Sequence, residues 1–400
     1  MRAKLCGPGI LVALFHGVVL AGEPELSFEK TVVDDTFQQG YQVSLADIDG
    51  DSRRDIVALA TTPTRLAWYR NPDWTRFEIL SSSERNIDVA PYDIDGDGDT
   101  DLALACEFSL GDSLRGGLVR WLECPENPSK QTEWMAHDID RVPTAHRIRW
   151  ADVTGDGALD LVNLPIIGIG ASPPEYQVGV QFKAYEIPNY PAADVWPAHV
   201  IDDGLHMAHG IAIVDWDDSP SAELLTASFE GVQLFRRSAP DRGWESRRLG
   251  SGKRGVRPGQ GSSEVGMGRL GANGSRYIAA IEPWHGNEVV VYTPPETGDG
   301  LWTRSVIDDS LDDGHALACA DFNGDDIDEI VAGYRGAEHN LYLYFFDTDA
   351  GRWNRVTIDD GGMGAAGVVV ADLDGNDRPD IVAIGTATNN IVLYTNTSGG

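Results

Sequence analysis

The chain has 400 residues, with 31 Lys plus Arg against 63 Asp plus Glu and a formal charge of −32. That balance excludes nucleic acid and an anionic membrane surface as partners, since both repel a strongly acidic protein. A hydrophobic share of 42%, with 11 Trp, 12 Tyr and 11 Phe, excludes disorder, so the acidity calls for a local cause, and cations come first.

Residues 1–21 read as a secretory signal peptide. Arg2 and Lys4 precede the apolar stretch Ile10–Leu20, and Val19-Leu20-Ala21 offers small residues at a cleavage site. The expectation is a secreted or periplasmic domain over 22–400, with no later run long enough to span a bilayer. Cys6 leaves with the leader. Cys106, Cys124 and Cys319 remain, and Cys106 and Cys124 either pair or stay as buried thiols.

Along the remaining chain one unit is written seven times. An apolar run, an Asp-rich turn and a second apolar run begin at Val43, Val89, Ile148, Ile211, Val265, Leu317 and Val368. Each reads as two short strands about a turn. A third strand follows each pair, from Leu66, Leu118, Phe182, Val232, Val289, Leu341 and Ile391. A fourth precedes each pair, often opening on Trp and closing on Asp-Asp, as at Trp196, Trp302 and Trp353. The chain therefore starts with a fourth-type strand at Phe28 and ends with a third-type strand. This offset predicts an all-β, seven-bladed β-propeller of four-stranded blades, closed by pairing the N-terminal strand with the last blade. A long solenoid would leave the offset without a reason. Two stretches outgrow the repeat, Pro165–Gln181 and Gly250–Ser263, and such loops often carry function.

The Asp-rich turns place oxygen ligands at positions 1, 3, 5 and 9, with a turn glycine at position 4. Blade one has Asp47, Asp49, Asp51 and Asp55; blade two has Asp93, Asp95, Asp97 and Asp101. Blade three has Asp152, Thr154, Asp156 and Asp160; blade six has Asp321, Asn323, Asp325 and Glu329; blade seven has Asp372, Asp374, Asn376 and Asp380. Alternating oxygen donors suit a hard cation of calcium size in a structural role. Blade four (Asp215, Asp217, Glu223) has lost the turn glycine, and blade five (Arg269, Asn273) has lost the site. The turns resemble those of FG-GAP/VCBS propeller repeats.

Those turns join the first and second strands and define one face of the ring. His146, His209 and His315 sit where first strands begin, and His285 follows a second strand, so all four fall on the opposite face. Arg147, His206, Glu264, Glu282, Trp284, Tyr334 and Arg335 map there too. Three imidazoles can hold zinc or another divalent ion and leave a position open. Trp150, Trp216 and Trp284 can offer a platform for a sugar ring.

The segments from Ala145, His209, Gly261, Ile281, Gly314 and Ala332 are similar to the propeller domain of the aldos-2-ulose dehydratases, which eliminate water from keto-sugars. The fungal enzyme carries further cupin-type domains, and this sequence stops at blade seven. The resemblance implies a carbon–oxygen lyase acting on a small sugar or oligosaccharide. Its expected catalytic set is His146, Arg147, Glu264 and Arg335, with Trp284, Tyr334 and Glu282 as substrate contacts. His209, His285 and His315 are the expected rim-metal ligands. Two other readings stand beside it: a non-catalytic calcium-stabilised module that binds carbohydrate or protein, and a polysaccharide lyase. A partner chain supplying further domains is a further expectation left open.

Overall fold

The computed structural model describes residues 26–217, 219–237, 243–272 and 274–399. The expected leader and Asn273 lie outside the described residues. The described residues form 28 strands in seven four-stranded antiparallel sheets. Blade one runs Gly40–Ala46, Asp55–Ala60, Arg65–Arg70 and Thr75–Glu78 from the channel outward, and the next five repeat that order. The seventh takes its three inner strands from Ala365–Ala371, Asp380–Gly385 and Asn390–Asn396. Its outer strand is Phe28–Asp34, from the other end of the chain. Phe28 pairs with Asn396 and Val32 with Val392, which closes the ring as the phase offset predicts. Among the described residues no helix is long and apolar enough to cross a membrane.

Burial follows position in the blade. The second strand is wholly buried in six blades, as in Asp55–Ala60 and Asp101–Cys106, and in the fifth only Arg276 is half-buried. The outer strand is mostly exposed or half-buried along its length, as in Thr75–Glu78. Because side chains alternate across a strand, one strand feeds two cores. Val57 and Leu59 pack toward blade two, whereas Ile56, Ala58 and Ala60 pack toward blade seven. Seven such clusters fill the gaps between blades. Trp68 and Trp121 are fully buried in two of them, each contributing on the order of 2–3 kcal/mol of apolar burial. Cys106 and Cys124 are free buried thiols, so the pairing alternative falls away.

The aspartate that closes the outer strands, usually the first of an Asp-Asp, ties blades together. The Asp34 carboxylate accepts from Tyr69 of the next blade at 2.6 Å. Asp140 accepts from Tyr185, Asp308 from Tyr344 and Asp359 from Tyr394 in the same way. Each brace satisfies a buried phenol with a charged acceptor.

Candidate functional site

The inner strands begin at the face away from the Asp-rich turns. The residues at those beginnings form a ring at the channel mouth: Tyr41, His146-Arg147, His209, Glu264 and His315. In blades six, seven and one the pairing register slips by one residue at this point, at His315, Ala366 and Tyr41. Such β-bulges re-aim side chains, and they cluster beside functional sites. His285 comes from the connection after Arg276–Glu282 and holds φ = 47°, a left-handed backbone uncommon for a non-glycine residue. Gly210 permits the close approach of blade five, since a Cβ there would lie 2.7 Å from Ser263 O.

The four histidines converge. Ring centres lie 4.8 Å apart for His146–His209, 4.9 Å for His209–His285, 4.9 Å for His209–His315 and 5.1 Å for His285–His315. His146 and His209 are fully buried, while His285 stays partly open to solvent beside Trp284 and Arg335. The site thus opens on the His285 side.

Three of the rings have their Nδ1 held from behind. His209 Nδ1 lies 2.8 Å from Glu264 Oε1, and His315 Nδ1 donates to Ala366 O at 2.6 Å. His285 Nδ1 lies 3.3 Å from Asp313 Oδ1 and 3.0 Å from Arg335 Nη2. The Nε2 atoms turn inward, and those of His209 and His285 are 3.2 Å apart. Ligand atoms of His209, His285 and His315 all fall within 4.8 Å of one another. His209 and His315 are backed by a carboxylate and a carbonyl acceptor, the arrangement that zinc-class ions take, whereas His285 Nδ1 accepts from Arg335 and would have to donate to Asp313 instead to turn a lone pair inward. The donor set fits such an ion.

Electrostatics agree with that fit. Burial holds His146, His285 and His315 well below the usual imidazole range, and His209 below it. All four are therefore neutral near pH 7. Burial alone would raise Glu264, but Arg147 and His209 outweigh it and keep the carboxyl ionised. Arg147 Nη2 donates to Glu264 at 3.1 Å. Arg335 grips Asp313 through Nε and Nη2 at 3.1 and 2.9 Å. Three buried polar atoms at this site have no partner: His146 Nδ1, Arg147 Nη1 and Trp284 Nε1. Groups left so are costly unless a ligand meets them.

Not every expected residue joins the cluster. Glu282 is fully buried, and its carboxylate is taken by Ser262, Tyr292 and Arg304. Tyr334 packs into the core between blades five and six beside Tyr342, so neither residue faces substrate. Trp150 and Trp216 make tilted contacts with Trp196 and Trp302, and of the three platform candidates only Trp284 touches a site histidine, 4.5 Å from the His285 ring. His206 pairs with Glu230. Two site residues escaped the sequence reading. Asp313 backs His285 and Arg335, and Tyr41 places its hydroxyl 3.2 Å from His146 Nε2 and 3.3 Å from His315 Nε2. Aligning the repeats would have found Tyr41, which follows Gly40 as His315 follows Gly314.

On the opposite face, carboxylate oxygens of Asp47, Asp49 and Asp55 come within 4.8 Å of one another, as do those of Asp93, Asp95, Asp101 and of Asp372, Asp374, Asp380. Asp49 Oδ1 and Thr154 Oγ1 are buried without partners, as oxygen ligands waiting on a cation would be. The acid at position 9 has a second duty. Asp55 accepts from Ile48 N and Asn71 N, Asp101 from Ile94 N and Cys124 N, and Asp380 from Leu373 N and Asn396 N. Burial pushes Asp101 up to about 7 and Glu329 up to about 8, a penalty that a bound cation would offset. In blade five Arg269 replaces the first ligand and bonds Asp328 of blade six.

Fold and turns together define a seven-bladed propeller of FG-GAP-like repeats, and that repeat family matches residues 26–104 and 321–383. The family described as "Aldos-2-ulose dehydratase, beta-propeller domain" matches residues 116–295, which carry His146, Arg147, His209, Glu264 and His285. The chain is 26% identical over 324 residues to aldos-2-ulose dehydratase of Phanerodontia chrysosporium. That similarity takes in 75% of this chain and 34% of the fungal enzyme, so the chain spans about a third of its relative. Among solved structures, the extracellular domain of a one-component system from B. thetaiotaomicron superposes over 90% of this chain and 39% of its own, at 12% identity and a TM-score of 0.51. An Agrocybe aegerita lectin specific for non-reducing terminal N-acetylglucosamine covers 81% of each chain at 14% identity and a TM-score of 0.48. The first of these likenesses speaks to the fold alone.

Proposed function

We propose that this chain is a secreted or periplasmic carbon–oxygen lyase that removes water, or another β-substituent, from a keto-sugar at the histidine-lined channel mouth. The observation that carries it is the convergence of His209, His285 and His315 beside three unpartnered buried polar atoms, on a propeller similar to that of aldos-2-ulose dehydratase. The sequence features of residues 1–21 support export.

Elimination next to a carbonyl breaks a C–H bond and a C–O bond and forms C=C. It needs a base, an anion stabiliser and a proton for the leaving hydroxyl. His146, neutral and buried, gives its proton to the leaving hydroxyl, and the ionised Glu264 carboxylate takes the α-proton. Arg147 Nη1 faces the developing enolate oxygen with a donor already desolvated. Arg335, fixed by Asp313 at the open side, orients the sugar, and Trp284 offers its ring face and indole N–H. Glu264 keeps Arg147 and His209 in place. His209, His285 and His315 would hold a zinc-class ion, which supplies polarisation of a carbonyl or hydroxyl oxygen. Calcium in the Asp-rich turns serves stability, far from the chemistry.

The test is a keto-sugar assay that follows the conjugated enone by absorbance, with metals counted by elemental analysis on protein purified without chelator. His146→Ala, His285→Ala and His315→Ala should each lower turnover at least ~100-fold while unfolding at the parent temperature. Sugar binding without product in the parent protein would make this a carbohydrate-binding module instead. Full activity in all three variants would remove the site.

A further inference from the structure

We infer that Tyr41 is a positioning residue that couples metal loading to the orientation of His146: its hydroxyl occupies the His315 lone pair in the empty site and turns to His146 when that lone pair is used. The inference rests on the rim-metal reading above and adds a residue to it.

Tyr41 stands on the inner strand of blade one, across the channel mouth from the metal histidines. It is the extra residue of a β-bulge, as His315 is in blade six, and both bulges present their side chain to the same point. Its ring lies 5.2 Å from that of His315, and the Arg147 guanidinium packs 5.7 Å from its centre. The hydroxyl has two neighbours, His146 Nε2 at 3.2 Å and His315 Nε2 at 3.3 Å, and one proton to give.

Which neighbour receives that proton is decided by His315. Its Nδ1 donates to Ala366 O, so the neutral ring carries its lone pair on Nε2. In the empty site Tyr41 donates there and accepts from His146 Nε2–H, which leaves His146 Nδ1 as a bare acceptor, in keeping with its lack of a partner. A cation held by His209, His285 and His315 uses the same Nε2 lone pair. Tyr41 must then rotate its O–H about the C–O bond and donate to His146 Nε2, and the His146 proton exchanges to Nδ1. No proton is gained or lost. The loaded site therefore presents a different His146 tautomer from the empty one, with Nδ1–H on the unpartnered side. Phe cannot take part, because it has neither the competing hydrogen bond nor the handover.

The experiment is a zinc titration of the full chain against a chromophoric chelator, for the parent protein and Tyr41→Phe, with calcium present throughout. Removing the competing hydrogen bond should tighten zinc roughly fivefold in Tyr41→Phe. A residue that merely filled space would leave affinity unchanged or weaken it, and either result in a variant with parental near-ultraviolet dichroism overturns the inference while the metal reading stands. A second readout uses 15N-histidine protein. Zinc should exchange the protonated and unprotonated nitrogen shifts of His146 in the parent protein, and a fixed His146 tautomer overturns the inference independently of how the variant folds. A parent protein that takes up no zinc at the rim overturns the metal reading first and this inference with it.

Discussion

Each histidine at the channel mouth is neutral because the fold denies its charged form water, not because a partner removes the proton. That has a signed consequence for stability. His146 has its folded pKa depressed, whereas in the unfolded chain it titrates near the ordinary value of about 6.5. Its contribution is complete above that value and lost as the pH falls below it, because only the unfolded state takes up the proton. The slope for one such group is about 1.4 kcal/mol per pH unit. The raised carboxyls of the Asp-rich turns work in the opposite sense, so the total slope mixes both. A paired comparison cancels them. Chemical denaturation of His146→Gln and the parent protein at pH 7.5 and 5.5, in calcium, should show the parent losing about 1.4 kcal/mol more on acidification. Equal losses in the two proteins would mean that His146 is protonated in the fold.

At the scale of the element, the Asp-rich turn is two devices in nine residues. Position 1 accepts the turn's own backbone N–H groups, as Asp47 does from Gly50 and Ser52, and position 9 turns inward to accept the backbone N–H of position 2. Burial raises the inward Asp55, burial and then the neighbouring carboxylates raise Asp49, and one cation would relieve both. Chelation with EGTA should therefore lower the unfolding temperature by several degrees, with calcium restoring it and magnesium failing to, as scanning calorimetry would show. A midpoint indifferent to EGTA would make the turns self-sufficient. Strands, turns and ring closure were legible in the sequence because they rest on local pattern: period-two apolar runs, turn glycines and a phase offset. The converging histidines were legible for a topological reason, since equivalent repeat positions must share a face. What escaped depends on side-chain direction within a position. Glu282 ends a second strand yet points into the blade, toward Arg304 and Tyr292, where desolvation is matched by three partners. Tyr334 likewise faces the neighbouring blade, and Tyr41 reaches the site only through a bulge that strand alternation alone would not announce. The Asp-Asp endings were visible as a motif, but their phenol partners lie about 35 residues on in the next blade, as Asp34–Tyr69 and Asp359–Tyr394 do.

The whole molecule is a closed ring whose stability is shared between neighbours, and closure is its one non-sequential step. Seven of the eight core clusters lie between two blades, so no blade buries its faces alone. The join uses six paired residues between Phe28–Asp34 and Asn390–Asn396, with Lys30 bonded to Asp359 and Ser27 O accepting from Thr397 N at 2.8 Å. Removing residues 22–34 should expose Asn390–Asn396 as an unpaired edge and strip Asp34 from Tyr69. The expected outcome is a lower, less cooperative unfolding transition and association through the open edge, read by calorimetry and light scattering. Loss of chain continuity is not the cause, and a circular permutant separates the two. Ser27 and Thr397 are in contact, so a short linker can join them, with new termini opened between Glu126 and Asn127 in an exposed connection of blade two. The permutant keeps all 28 strands and should unfold within a few degrees of the parent and remain monodisperse. If the truncated chain matched the parent instead, blades would be held by their inner strands alone, and the N-terminal strand would be an ornament on a ring already closed.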